Sequence, residues 1–378
     1  MELPIQRLLV FTRDTDFYSE QMLRELQKLG MAVAVVVEPQ RQAALRERAA
    51  DLVQLDGPRL RHRFDGHAIR GYVALIDSFK PDVCLCFTSR AFGLAVLARK
   101  RSVIKPPLVG TRGAMGGISA FNPLDWLTYL NPNVEAIVGF SDAIQARLNT
   151  EANRFWPKHP GLYVTVHQAY DSLPAEIPHR PPVPASGTTR LMCVANDRAI
   201  KGMDVLLDAL DKYVSSDGWH LDLVGRMGPA THRRVQASQR LKARVTLHGF
   251  RSDVRQMYQH ADLYIQPTRS PGEGIGNAIA EAMAAGLPCI VTRAGGAVEL
   301  VVQDENGWQV TPDDPAALGQ AINALMAQPV LMLAMGQRAA ARLSQHFSLE
   351  REVAAYLSLF ALISAAKSRL APADTKLR

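Results

Sequence analysis

Two doubly wound α/β domains are the fold class that this 378-residue sequence predicts. Three observations predict it. Short apolar runs alternate with amphipathic segments along both halves, the pattern of βαβ units around a parallel sheet. Pro174, Pro178, Pro181, Pro182 and Pro184 crowd one stretch that cannot enter a helix or sheet interior. The length allows about two domains, each with its own core. The expected division is a first domain over 1–172, a linker over 173–189, a second domain over 190–346, and a closing helix with a frayed tail over 347–378.

The first half opens with a strand from Ile5 to Thr12, an amphipathic helix from Ser19 to Leu29 closed by Gly30, and a strand from Met31 to Val37. Between the first two lies Arg13-Asp14-Thr15-Asp16. An Asp-x-Asp invites a metal-binding reading, but here it immediately precedes a helix, where Asp16 or Ser19 serves as a cap. Contact of Asp16 with a substrate is the lesser alternative. Helices are expected over Ala43 to Leu55, His67 to Phe79 and Ala91 to Arg101, with a buried strand from Pro81 to Thr88. A strand around Pro107-Leu108-Val109 leads into a Gly-rich loop, Gly110 to Ser119, containing Arg112 and Gly113. It lacks the Lys-Ser/Thr of a P-loop and follows no dinucleotide fingerprint. Either it is a simple connection, or its backbone lies against a bound sugar, with Arg112 near phosphate or a second substrate. A strand over Val134 to Ser141, a helix over Asp142 to Leu148 and a strand over Leu162 to His167 complete the half. His167, a lone histidine at a strand end, reads as structural.

The second half restarts with a strand from Arg190 to Ala195 and a loop, Asn196 to Gly202, before a helix from Asp204 to Tyr213. Arg198 and Lys201 at a helix entrance suit a diphosphate, since the helix supplies N–H donors and the cations supply charge. Solvated loop cations are the bland alternative. A strand from Leu221 to Val224 ends in Gly225-Arg226, and one from Val245 to His248 ends in Gly249-Phe250-Arg251. Helices are expected over Asp314 to Met326, Val330 to His346, and Phe347 to Leu370.

Chemistry concentrates between Ser270 and Gly286. A short apolar run ends at Pro267. Glycines at 272, 274 and 276 then open a turn, and strong helix formers follow from Ile275 until Gly286 and Pro288 stop them. The free N–H groups and dipole of that helix face an anion. At about 100° per residue, Gly274, Asn277 and Glu281 share one face, while Ile275, Ile279 and Met283 form another that packs on a sheet. Glu273 lies in the turn, eight positions before Glu281. A helix-borne carboxylate can accept two ribose hydroxyls, and one in the turn can reach a sugar. An ordinary surface helix with solvated acids fits the spacing equally well.

Composition narrows the classes. The 47% hydrophobic and 21% charged content are those of a soluble globular chain. Cys84, Cys86, Cys193 and Cys289 sit within apolar runs without metal or disulfide spacing, which fits a reducing cytoplasm. No leader pattern or long apolar span is visible. The net charge is +7, with Arg41, Arg46, Arg48, Arg59, Arg61 and Arg63 in one cluster and Arg99, Lys100, Arg101 and Lys105 in another. An anionic membrane surface ranks above nucleic acid as the partner, because no nucleic-acid-binding motif accompanies these stretches.

Glu273-x7-Glu281, set within Pro-Gly-Glu-Gly-Ile-Gly-Asn and followed by Glu-Ala-Met-Ala-Ala-Gly-Leu-Pro, resembles the signature of the retaining GT-B nucleotide-sugar glycosyltransferases, family four. Gly295-Gly296-Ala297-Val298-Glu299-Leu300-Val301 and Asn306-Gly307 continue the likeness. The resemblance is strong through the C-terminal half. It implies two Rossmann-like domains facing across a cleft, the last helix crossing back to the first domain, and transfer of a sugar from a nucleotide diphosphate sugar to a hydroxyl. By resemblance, Glu281 holds the ribose and Glu273 the sugar. Lys201 and Arg198 neutralise the diphosphate, and the backbone of Gly274, Ile275, Gly276 and Asn277 borders the donor. Gly225, Phe250 and Arg251 meet the base. The resemblance also implies UDP as the default nucleotide, no metal or other cofactor, and a bacterial cell-surface glycan or lipopolysaccharide core as acceptor. Relatives carry a histidine near the Gly-rich loop. No histidine falls between His67 and His159 here, so none is carried over. A nucleotide-sugar epimerase of the same fold and a non-catalytic binder of nucleic acid or anionic surfaces remain alternatives.

Overall fold

The computed structural model describes residues 3–62, 64–156, 162–170 and 187–370. Residues 173–186 of the expected linker, the tail over 371–378 and Arg63 lie outside them. The chain divides into two compact units. One comprises Met1–Gly113, Gly117–Ala169 and Leu349–Arg378; the other comprises Ala114–Gly116 and Tyr170–Ser348.

The first unit runs β1 (Arg7–Phe11), α1 (Phe17–Lys28), β2 (Ala32–Val37), α2 (Pro39–Arg48), β3 (Val53–Asp56), α3 (Gly66–Phe79) and β4 (Val83–Cys86). It continues through α4 (Ser89–Arg99), β5 (Leu108–Arg112), α5 (Pro123–Leu127), β6 (Ala136–Gly139), α6 (Asp142–Ala152) and β7 (Leu162–Thr165). All seven strands pair in parallel in the order β3-β2-β1-β4-β5-β6-β7. Parallel pairing buries both faces, which is why β1, β2 and β4 read as unbroken apolar runs. Asp16 caps α1: its carboxylate accepts the Ser19 N–H at 2.8 Å. Asp14 is held by Arg41 at 2.7 Å and Arg48 at 3.5 Å. The Asp-x-Asp therefore serves cap and loop.

Two expectations for this half need correction. The helix read over Ala43 to Leu55 stops at Arg48, and Val53–Asp56 joins the sheet edge beside Ala34–Val37. Helix-forming residues there yield to strand pairing, a tertiary effect that local propensity does not register. Gly110, Thr111 and Arg112 belong to β5 rather than to the Gly-rich loop. The reason lies at Gly110, where a Cβ would come within 2.4 Å of the Phe92 ring. Its absence lets the aromatic lie directly on the strand.

The second unit runs β8 (Thr189–Val194), a 3-10 turn (Ala199–Lys201), α7 (Met203–Lys212), β9 (Trp219–Val224), α8 (Pro229–Ala237), α9 (Gln239–Arg244) and β10 (Val245–Gly249). Then follow α10 (Val254–Tyr258), β11 (Leu263–Gln266), α11 (Asn277–Ala284), β12 (Cys289–Thr292), α12 (Ala297–Leu300), β13 (Gly307–Val310), α13 (Pro315–Met326) and α14 (Pro329–His346). Its parallel order, β10-β9-β8-β11-β12-β13, reverses direction between β8 and β11. That reversal is the switch point at which doubly wound sheets bind ligands beyond their carboxyl ends.

The last helix, α15 (Leu349–Leu370), belongs to the first unit. Tyr356, Leu359, Phe360 and Ile363 share a buried cluster with Met22, Leu23 and Leu26 of α1. Glu352 accepts the Ala169 N–H at 2.8 Å, so the helix is anchored by a polar contact as well as by burial.

All four cysteines are free and buried. Burial pushes the Cys193 thiol up to about 12 and raises those of Cys84, Cys86 and Cys289 still further, so all four are protonated at neutral pH.

Candidate functional site

At the switch point of the second unit, a cavity of about 250 Å³ is lined by Asn196, Arg198, Lys201, Gly225, Phe250 and Arg251, among others. Strands β8 and β9 end at its floor with Val194 and Val224. Glycines let the loops close around it. Gly225 has φ 127°, and a Cβ there would stand 1.9 Å from the Ala195 carbonyl oxygen. Gly202 has φ 63°, and its Cβ would stand 2.0 Å from the Pro267 carbonyl oxygen. Only a residue without Cβ fits either position. Gly225→Ala is therefore expected to destabilise the unit by about 3 kcal/mol, lowering the melting temperature by about 6–12 °C. An unchanged melting transition would show that the two loops do not meet so closely.

Lys201 ends the 3-10 turn, with its N–H on the Arg198 carbonyl at 2.7 Å. Its ammonium lies 2.5 Å from the Glu273 carboxylate, and the Arg198 guanidinium lies 3.2 Å from the same group. Side-chain exposures of 12%, 66% and 24% for Lys201, Arg198 and Glu273 make the lysine contact the sheltered one. The two cations predicted for the diphosphate and the carboxylate predicted for the sugar thus form a single ion-paired cluster.

Glu273 is held from behind by the Gly295-Gly296 turn. The Gly296 N–H donates to the Glu273 carbonyl at 3.0 Å, and a Cβ on Gly295 would stand 2.0 Å from that oxygen. Gly272 packs onto the same turn, where a Cβ would come within 2.2 Å of the Gly295 nitrogen. The Gly-Gly pair after β12 is a backbone support for the acidic turn.

Gly274 and Ile275 are buried in that turn. Helix α11 begins at Asn277, two residues later than Ile275, because Gly276 sits at φ 87°, outside helical geometry. Among the described residues no side chain caps this end, and the Ile279 N–H donates to the Gly276 carbonyl at 2.9 Å, so the Asn277 and Ala278 N–H groups are the ones left to an anion. The Asn277 carboxamide accepts the Tyr170 hydroxyl at 2.9 Å. Glu281 lies one turn on, half-buried, with its carboxylate 3.4 Å from the Tyr258 hydroxyl, which also reaches the Ala278 carbonyl at 3.2 Å.

Phe250 stands 69% exposed at the cavity rim, and the Arg226 guanidinium lies 5.5 Å from its ring. An exposed ring backed by a guanidinium offers a face on which a planar base can stack. Arg251 forms a two-pronged pair with Asp253 at 2.8 and 2.5 Å, and that bond holds the Asp253 carboxyl below its ordinary range.

The three remaining candidates lie in the first unit. Arg112 places its guanidinium 4.9 Å from the Tyr129 ring. Gly113 lies where a Cβ would meet the Phe140 ring at 3.1 Å. Asp16 caps α1, as described above. Asn196, Arg226, Tyr170 and Tyr258 are neighbours that sequence reasoning did not single out. Tyr258 sits in α10, a helix of only 5 residues that carries no periodic signal.

Residues 188–328 match the sequence model of the family described as Glycosyl transferases group 1. A lipopolysaccharide core biosynthesis mannosyltransferase of Rhizobium leguminosarum is 31% identical over 173 residues, 43% of this chain and 48% of its own. The chain spans about half the length of the curated relatives it matches. A glycosyltransferase from Rickettsia africae superposes with a TM-score of 0.74 at 18% identity, covering 95% of this chain and 98% of that one. HepE of Anabaena, in complex with UDP and glucose, superposes at 0.72 with 18% identity, covering 97% of this chain and 100% of its own. At those identities the superpositions establish the fold. The chain therefore has the GT-B fold, and it is residues 188–328 that match the glycosyl transferases group 1 model.

Proposed function

We propose that this chain is a retaining glycosyltransferase that moves a sugar from a nucleotide diphosphate sugar to a hydroxyl of a cell-surface glycan or lipopolysaccharide core. The observation that carries the reading is the cluster of Arg198, Lys201 and Glu273 beside the Phe250-rimmed cavity, at the switch point of a nucleotide-type fold. In this reading the base stacks at Phe250 beside Gly225 and Arg251, and Glu281 accepts the ribose hydroxyls. The diphosphate lies between Lys201, Arg198 and the N-terminus of α11, bordered by Gly274, Ile275, Gly276 and Asn277. UDP is the favoured nucleotide, supported by the UDP bound to the Anabaena neighbour. The acceptor class is supported by the lipopolysaccharide core relatives.

The bond from the anomeric carbon to the β-phosphate oxygen breaks, and the acceptor oxygen bonds that carbon on the same face. Negative charge grows on the leaving diphosphate, where Lys201, Arg198 and helix N–H groups are already aimed. The departing phosphate oxygen takes the acceptor proton. Glu273 orients the sugar and forms no covalent intermediate. With cations supplied by side chains, we propose that no metal is needed. Arg112 and Gly113 are assigned to a loop that meets the acceptor or the donor, and Asp16 keeps its place as the cap of α1. The protein is placed at the cytoplasmic face of the inner membrane, held reversibly by anionic lipid. Among the described residues, no single helix is long and apolar enough to cross a membrane.

The test is a binding panel of uridine and guanosine diphosphate sugars, followed by transfer assays in EDTA with core oligosaccharide acceptors. One donor should bind, and its turnover should require acceptor and survive chelation. Turnover without acceptor would make the chain an epimerase. Loss in EDTA, restored by Mn²⁺, would overturn the metal-free account.

A further inference from the structure

The first unit carries two adjoining cavities at the amino-terminal edge of its sheet, the edge opposite the one where doubly wound folds bind substrate. One, of about 380 Å³, is walled by Leu162, Leu362 and Ile363 with Lys105 and Lys367 at its border. The other, of about 340 Å³, is the more polar of the two, lined by Val96, Lys100, Lys105, Asn131 and Asn133. Arg99 and Lys105 belong to both. Pro107 before β5, Glu135 before β6 and Leu162 at the start of β7 locate the first cavity at the strand beginnings.

Arg99 is not a free charge here. It grips both oxygens of Glu135 at 2.9 and 2.7 Å, and Glu135 also accepts the Leu108 N–H at 2.7 Å. That pair is a fixed partition between the cavities. Among the described residues, Lys100, Lys105 and Lys367 have no ion-pair partner, and all three are exposed. Beside them Leu362 is 62% and Val103 87% exposed. Leu162, 38% exposed, and Leu362 put apolar surface in the cavity that shares Arg99 and Lys105 with its neighbour, and a bare anion would make no use of it.

We propose that these paired cavities seat one anionic phospholipid of a membrane surface. Its phosphate lies among Lys100, Lys105 and the two asparagines, and the start of its acyl chain lies over Leu162, Leu362 and Ile363. The occupant follows from the chemistry. A nucleic-acid backbone or a free phosphate would engage the more polar cavity alone, whereas a molecule with a charged head and an apolar tail fills both. The assignment rests on the membrane-surface part of the function proposed above. It adds where the contact is made and by which class of lipid. Basic side chains within a Debye length of an anionic leaflet each strengthen partitioning about fivefold, and exposed leucines add a term that salt does not screen.

The test is flotation of the full chain with vesicles of 30 mol% phosphatidylglycerol in phosphatidylcholine, and with pure phosphatidylcholine vesicles. The wild type should float only with the anionic vesicles. The triple variant Lys100→Gln, Lys105→Gln, Lys367→Gln should lose about a hundredfold in partitioning. Leu362→Ser alone should weaken it severalfold in a manner that raised salt does not mimic. A control triple, Arg46→Gln, Arg59→Gln, Arg61→Gln, removes three exposed cations elsewhere in the unit and should float as the wild type does. Nucleotide diphosphate binding should be unchanged in all of them, which shows that they fold. Equal flotation of the lysine triple, or loss in the control instead, would overturn this site while leaving membrane association standing. Displacement by inorganic phosphate with no effect of Leu362→Ser would make it a free-anion site. Failure of the wild type to float at all would remove the membrane part of the proposed function, leaving the donor site to its own binding panel.

Discussion

Lys201→Ala is expected to lower the rate of transfer by about 10²–10³-fold, the cost of removing one preorganised charge from a developing anion. Lys201 is the better placed of the two cations, only 12% exposed against 66% for Arg198, so water screens it less. Its loss also leaves Glu273 with one partner, the exposed guanidinium. Both kcat and nucleotide diphosphate affinity should fall, kcat further, because the leaving group carries more charge in the transition state than in the bound donor. Lys201→Arg keeps the charge but replaces a compact ammonium with a planar fork in a tight loop, and it should recover only part of the rate. Steady-state transfer and calorimetric titration with the nucleotide diphosphate measure the two effects separately. An unchanged kcat in Lys201→Ala would place the diphosphate away from the 3-10 turn that ends at Lys201.

That cluster shows how far sequence carries an argument of this kind. The alternation of apolar and amphipathic runs identified both parallel sheets, because buried parallel strands must be apolar on both faces. Arg198, Lys201, Gly225, Phe250 and Arg251 were legible as loop residues after successive strands, and the cavity at the switch point brings all five together. The direct pairing of Glu273 with Lys201 and Arg198 was not legible. Lys201 lies 72 and Arg198 75 positions before Glu273, and their contact depends on β8 and β11 being neighbours in the sheet. The Tyr258 hydroxyl near Glu281 was hidden for a similar reason, since one short helix supplies it and another receives it. Local pattern also failed where a tertiary neighbour decided the outcome. Val53–Asp56 is a strand because Ala34–Val37 lies beside it, and Gly110 is a strand residue because Phe92 covers it. The glycines at 202, 225, 272 and 295 read as turn or motif residues in sequence. Their distances to opposing backbone show that they are what allows the loops to close.

Glu273→Gln is expected to bind free nucleotide diphosphate more tightly than the wild type and yet to transfer poorly. The carboxylate now sits 2.5 Å from Lys201 and 3.2 Å from Arg198, the two cations assigned to the diphosphate. A diphosphate entering there must take both from Glu273, so part of its attraction is spent in breaking an existing ion pair. Glutamine keeps the size and the Gly296 backbone bond but removes the competing charge. Affinity should rise about tenfold, or about 1.4 kcal/mol, toward the small end of charged hydrogen-bond energies because the Arg198 contact is largely solvent-screened. The gain should shrink as salt increases. Transfer should still fall, since the sugar loses a charged acceptor that orients it. Glu281→Ala supplies the contrast: losing the proposed ribose acceptor should weaken nucleotide diphosphate binding by about 1.5–3 kcal/mol. Titrating the three proteins with the same nucleotide diphosphate, at two salt concentrations, sets the opposite signs side by side. Weaker binding by Glu273→Gln would mean that the carboxylate supports the diphosphate site rather than competing for it, and the ion-paired cluster would then have to persist in the donor complex.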